Sequence, residues 1–158
     1  MSTTVRMGLM IGLLCGLWLL VMGFTGWYRH PALLNAFWVV ILIQIAVLVW
    51  GLRKTAATNP LGRQIMTGTL ASLIGGAVMF LFSYLFTAVL FPNYFEELRT
   101  INQEMMRQAG KSEGEIAEML AAARPMETSF MQAFLGLIGT VVTGFLASIP
   151  IGAIYRKK

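Results

Sequence analysis

The sequence predicts an all-α integral membrane protein, with four transmembrane helices and a short amphipathic helical segment between helices 3 and 4. Three observations carry that expectation. Of the 158 residues, 57% are hydrophobic and only 12% charged, and the mean hydropathy is +0.71; soluble domains carry about 25% charged residues. All seven acidic residues are glutamates lying between Phe91 and Ser129 (Glu96, Glu97, Glu104, Glu113, Glu115, Glu118 and Glu127), mixed with Arg99, Arg107, Lys111 and Arg124. A charge at the centre of a bilayer costs roughly 2.5–3.5 kcal/mol on insertion scales, so this stretch belongs outside the hydrocarbon. The flanking runs, Gln64 to Phe95 and Thr128 to Tyr155, are each long enough to cross it. Residues 1–158 read as one membrane domain, with spans at about 7–28, 33–52, 65–90 and 130–155 and an outer amphipathic segment at 92–129.

The first span is the uncharged run Met7 to Tyr28, preceded by Arg6. A signal peptide would carry an apolar core of about 7–15 residues followed by small residues at a cleavage site. This run continues past Cys15 into Trp18 and Leu20, with the large Leu14 just before the cysteine, so it reads as a retained helix. Arg29-His30-Pro31 is too short to do more than reverse the chain. In the second span Ile41, Ile43, Ile45, Val47 and Val49 alternate as a strand would. A lone strand cannot satisfy its backbone in lipid, so a helix is predicted. Arg53, Lys54, Asn59-Pro60 and Arg63 form the next loop, and Pro60 suits an early helical position.

The charged stretch predicts two short amphipathic helices. Pro92 opens the first, with Leu98, Ile101 and Met105 on one face, and Gly110 stops it. Ser112 and Glu115 have capping-box spacing for the second, which carries Ile116, Met119 and Leu120 on one side until Arg124-Pro125. In both helices Glu97, Glu104, Glu113 and Glu118 are expected to be mostly wet.

Orientation follows from lysine and arginine. Arg6, Arg53, Lys54, Arg63, Arg156, Lys157 and Lys158 fall on one side, in short termini and one short loop. Arg29, Arg99, Arg107, Lys111 and Arg124 are spread thinly over the other. The positive-inside rule then places both termini in the cytoplasm. Trp27, Tyr28, Phe91 and Tyr94 are expected in an outer aromatic belt, and Trp50 and Tyr155 in an inner one.

With Asn93-Tyr94-Phe95-Glu96-Glu97, the turn Gly110-Lys111-Ser112-Glu113-Gly114-Glu115-Ile116 and the ending Ile149 to Lys158, the chain resembles a bacterial membrane-protein family, the domain of unknown function 4199. The likeness covers nearly the whole chain. It implies a fold, a topology and a bacterial inner membrane, but no activity and no functional residues.

Small residues recur every fourth position on three spans: Gly8, Gly12 and Gly16; Gly68, Ser72 and Gly76; Gly136, Thr140, Gly144, Ser148 and Gly152. Such stripes let helix backbones approach closely. The third stripe is expected to meet the first or the third helix, with Leu137 on a different face. Gln44 is the amide placed deepest in a span and should be hydrogen-bonded between helices. Pro150 removes one backbone hydrogen bond from the last span.

No catalytic, metal or cofactor set emerges. One cysteine cannot support dithiol redox chemistry, the one histidine (His30) sits in a turn, and Glu96 and Glu97 diverge on a helix. The net charge of +5 comes from cations at span ends rather than from a basic face for nucleic acid. No span carries the Asp, Glu or His that proton-coupled transport typically uses. The sequence therefore points to a non-enzymatic protein whose partners are the lipid bilayer and, through packing faces, a second copy or another membrane protein. The alternative is a small transporter or channel component with a path lined by Gln44, Ser83, Thr87 and Thr143.

Overall fold

A computed structural model of the chain describes residues 1–155; Arg156, Lys157 and Lys158, counted above among the inner cations, lie outside the described residues. Among the described residues the chain is helical with no strand. Four stretches are long and apolar enough to cross a membrane: Thr3–Phe24, Pro31–Thr55, Leu61–Leu90 and Ser129–Tyr155.

Helix α1 (Thr3–Phe24) is capped by Ser2 and ends at Gly26, whose φ of 71° turns the chain back through a 3₁₀ turn, Trp27–Arg29. The second stretch is not one regular helix. Its first eight residues, Pro31–Trp38, wind as a 3₁₀ helix and only then pass into α2 (Val39–Thr55). Runs of 3₁₀ beyond three or four residues are uncommon. Here α1 supports the segment from the side: Trp18 Nε1 donates to the Ala36 carbonyl at 2.9 Å, and Cys15 Sγ to the Val40 carbonyl at 3.5 Å. Helix α3 (Leu61–Leu85) starts directly after Pro60, earlier than the expected Ile65, and finishes in a π-helical turn, Phe86–Leu90.

The charged stretch forms α4 (Tyr94–Gln108) and α5 (Glu113–Ala123). Gly110, with φ 78°, stops α4, and the Ser112/Glu115 capping box starts α5. Helix α6 (Ser129–Tyr155) begins under the Thr128 hydroxyl, which accepts from the Met131 N–H at 3.1 Å, and runs on through Pro150.

Helix α3 is the one on which α1 and α6 assemble, with α2 packed against both of them. One face receives α1: a β-carbon at Gly8 would lie 2.6 Å from Ile74 Cβ, and one at Gly75 would lie 2.7 Å from Ile11 Cγ2. Gly12 faces Val78, and Gly16 faces Phe82. A neighbouring face, about a quarter turn round the helix, receives α6, with Gly68 against Ser148 and Ser72 against Gly144. A β-carbon at Gly76 would come within 3.2 Å of the Leu137 carbonyl, and one at Gly152 within 3.2 Å of Gln64 Cβ. Both contacts depend on the missing side chains, because apolar area gives helices in lipid little reason to associate.

Of the two partners expected for the α6 stripe, α3 is the one it meets, while the α1 stripe is seated on a neighbouring face of α3. Two expectations need correcting. Gly136 leaves the contact altogether: a β-carbon there would meet nothing within 4 Å, and Leu137 packs at that level instead. Tyr28 is no belt residue; it is 3% exposed, with ring centroids 5.9 Å from Phe91 and 5.2 Å from Tyr94. At the other end Lys54 Nζ sits 4.0 Å above the Trp50 ring, and Arg53 lies over Tyr155.

Candidate functional site

Gln44 stands at the centre of the site. It is 4% exposed, and its Nε2 donates to Ser72 Oγ at 3.1 Å and to the Thr140 carbonyl at 2.7 Å, joining α2 to both α3 and α6. Both amide hydrogens are thereby used. Below this level α3 and α6 close on each other through Ser72–Gly144, Gly68–Ser148 and Gln64–Gly152. Above it they leave a chamber of about 280 Å³.

The chamber has a back and two sides. Cys15 and Leu19 of α1 and Met79 and Ser83 of α3 form its back, Phe37 to Ile41 one side, and Gln132 to Thr143 of α6 the other. Gly136 and Gly139 line it and carry no side chain to fill it; a β-carbon at either would meet nothing within 4 Å. At the rim Trp38 is 61% exposed and Leu135 44%. The chamber therefore opens sideways, between α2 and α6, toward the surroundings of the helices. A smaller cavity of about 190 Å³ adjoins it, sharing Leu19, Phe37 and Gln132 and roofed by Tyr94 and Leu98 of α4. Both irregular segments border this space: Leu34 and Phe37 come from the 3₁₀ stretch and Phe86 from the π turn.

The polar atoms of the walls are unevenly matched. Most helix hydroxyls bond back one turn, including Thr140 of the wall: Thr67 to Arg63, Thr69 to Ile65, Thr87 to Ser83, Thr140 to Gly136 and Ser148 to Gly144. Among the described residues Ser83 Oγ, Thr143 Oγ1, Gln44 Oε1 and the Gln132 amide make no such bond. None of these atoms is sealed from contact, so the buried ones open onto the chamber. Among the described lining residues none is charged.

Over the outer end α4 is tied down by ion pairs. Arg29 reaches Glu97 through Nε at 2.8 Å and Nη2 at 2.9 Å, while the Tyr28 hydroxyl donates to Glu97 Oε2 at 2.6 Å. The Arg29 guanidinium, and then the Tyr28 hydroxyl, hold the Glu97 carboxyl below its usual value. Burial, and then the Glu97 carboxylate, push the Tyr28 phenol up. Glu97 was expected to be wet; its side chain is only 32% exposed and latches α4 to the turn after α1. Arg99 pairs with Glu127 and Arg107 with Glu113, which fasten α4 to the start of α6 and to α5.

Of the path residues weighed from sequence, Gln44, Ser83 and Thr143 line the chamber, and Thr87 does not. Gln64 was missed. It is fully buried, donates to the Leu52 carbonyl at 3.3 Å and accepts from Thr55 Oγ1 at 3.1 Å. The span expected at 65–90 leaves Gln64 just outside it, and the start of α3 at Leu61 brings it inside. His30 is exposed, and among the described residues no group of His, Cys, Asp and Glu side chains is arranged to hold a metal.

No curated protein and no solved structure is significantly similar to this chain. A family profile does match it, over residues 6–157, which takes in the four long helices but for the first turn of α1, and the charged segment between the last two. The chain belongs to the family described as "Protein of unknown function (DUF4199)".

Proposed function

We propose that this is a non-enzymatic, multi-pass protein of the bacterial inner membrane, with both termini cytoplasmic, that binds a molecule taken from the bilayer in the chamber between α2 and α6. The observation that carries the reading is the shape of that chamber: open sideways at Trp38 and Leu135, closed below at Gln44. A space entered from the hydrocarbon and blocked toward the other face suits binding better than conduction. Volumes of about 300–1,000 Å³ with a few polar groups in apolar walls are usual for ligand sites, and the two adjoining cavities together fall in that range.

The packing-face reading loses support because most of the small-residue positions are occupied within the chain. A second copy or another membrane protein would have to use the outward apolar faces, with the bilayer as the constant partner and no nucleic acid involved. The test is purification in mild detergent followed by native mass spectrometry, alongside reconstitution in liposomes. The expected result is a co-purifying small molecule and no solute flux. Flux through the reconstituted protein would replace this reading with the channel one.

A further inference from the structure

The end of the molecule away from α4 and α5 carries cations that the fold itself leaves unused. Basic side chains in the last turn of a helix ordinarily bond its end carbonyls. At the end of α2 other groups do that work. Gln64 Nε2 donates to the Leu52 carbonyl at 3.3 Å, the Ala56 N–H to the Arg53 carbonyl at 3.4 Å and the Asn59 N–H to the Thr55 carbonyl at 3.1 Å. Among the described residues Arg53 and Lys54 enter no ion pair, and all seven glutamates lie between Phe91 and Ser129. Each cation is seated on an aromatic ring instead: Arg53 Cζ is 5.4 Å from the centre of Tyr155, and Lys54 Nζ 4.0 Å from that of Trp50. A ring holds a cation by its charge but supplies no oxygen, so the N–H donors of both groups remain to be met. Two open hollows adjoin at Arg53. One, of about 330 Å³, is bounded by Arg53, Ala56, Ala57 and Tyr155, and the other, of about 310 Å³, by Trp50, Arg53 and Lys54.

We infer that this end of α2 binds the phosphate of an anionic phospholipid, with Arg53 as the fork between the two hollows and Lys54 as the second charge. The site is separate from the chamber and does not depend on what the chamber holds. Arginine meets phosphate through paired N–H groups, and Arg53 is held in place for that contact by Tyr155. The level suits a lipid source: a helix of membrane-crossing length and hydropathy ends here, and tryptophan and tyrosine mark the depth of the headgroups. The headgroup is one without a cation of its own. A choline or ethanolamine ammonium seeks an aromatic face or a carboxylate. Here the two rings already carry the chain's own cations, and a further ammonium would stand beside Arg53 and Lys54.

The experiment uses the full chain in mild detergent, titrated with phosphatidylglycerol or with phosphatidylcholine of the same acyl chains, and counts bound lipid by native mass spectrometry. Phosphatidylglycerol is expected to bind about tenfold more tightly, a difference of the size that one charge-assisted hydrogen bond makes. Arg53→Gln should lose most of that preference and Lys54→Gln a part of it. Arg53→Lys and Tyr155→Leu, which remove the fork and the ring without changing the charge, should each weaken phosphatidylglycerol several-fold. Arg63→Gln is the control. It removes the same charge from the first turn of α3 but borders neither hollow, so it should change binding by less than about twofold. Arg53, Lys54 and Arg63 are exposed, and their variants should melt as the parent does. Equal losses from Arg53→Gln and Arg63→Gln would mean diffuse attraction to a positive surface and would overturn the site, as would equal binding of the two lipids. Inorganic phosphate should displace the lipid no better than chloride of equal ionic strength; displacement by phosphate alone would move the source into solution and overturn the lipid assignment.

Discussion

At the scale of single residues, Glu97 and Gln44 do different work, and each yields a prediction. The folded pKa of Glu97 lies below the ordinary 4.5 because Arg29, and then Tyr28, favour its charged form. Its stabilisation of α4 is therefore complete above the unfolded value and lost as pH falls through the lower folded value. Hydrogen exchange in α4, corrected for intrinsic rates, should show protection at neutral pH that declines below about pH 4.5; Glu97→Gln should remove that component, and Tyr28→Phe should move its midpoint upward. Gln44 is a bridge between helices, and its truncation by Gln44→Leu should cost roughly 0.6–2 kcal/mol, the usual worth of such bonds in membrane proteins. Denaturation in mild detergent would measure it, and an unchanged midpoint would show that the bridge carries little. Gln44 was legible in the sequence because an amide in an apolar run has to find partners. The Glu97 latch was not, since Arg29 stands 68 positions away and only the tertiary fold joins them.

At the scale of elements, the repeat of small residues correctly marks the faces of α1, α3 and α6, but a stripe does not say which stripe it meets. The answer depends on α3 having two such faces and on their order around it. Gly144→Leu should force α6 away from Ser72 and cost roughly 1–3 kcal/mol of overpacking, whereas Gly136→Leu should be neutral or gain up to about 1 kcal/mol of helix propensity. Thermal melts of the two proteins would separate them, and equal losses would mean that α6 is rotated from its described position. The 3₁₀ stretch and the π turn left no sequence signal. Their residues are apolar in a run long enough for an ordinary helix, and the deviations follow from side support by Trp18 and Cys15 and from the Phe86–Phe91 contact, with ring centroids 4.6 Å apart. In α4, Leu98 roofs the smaller cavity while Glu104 is exposed. Leu98→Glu should therefore loosen α4, measured as faster proteolysis of residues 92–129, and Glu104→Gln should leave it as it was. Equal behaviour would make the segment a flexible loop.

For the whole molecule, the distribution of charge is the property that composition exposed most directly and the fold organises further. At the α4/α5 end the arginines Arg29, Arg99 and Arg107 are paired with Glu97, Glu127 and Glu113. At the opposite end every acidic residue is missing, since all seven glutamates lie between Phe91 and Ser129, and Arg53 and Lys54 rest on Tyr155 and Trp50 with their charge uncompensated. By the positive-inside rule an end with net positive charge and interfacial aromatics is expected on the cytoplasmic side, where anionic lipid attracts each exposed cation by about 1 kcal/mol. The prediction follows in terms of accessibility. Cys15 is buried, so the parent chain should give little background with a thiol reagent that cannot cross the membrane. Ser112→Cys, exposed between α4 and α5, should react with an impermeant maleimide in intact cells; Thr58→Cys, exposed between α2 and α3, should react only after lysis. Reversal of the two would invert the protein in its membrane. On the binding reading proposed above, the chamber would then lie in the cytoplasmic half and open to the opposite leaflet.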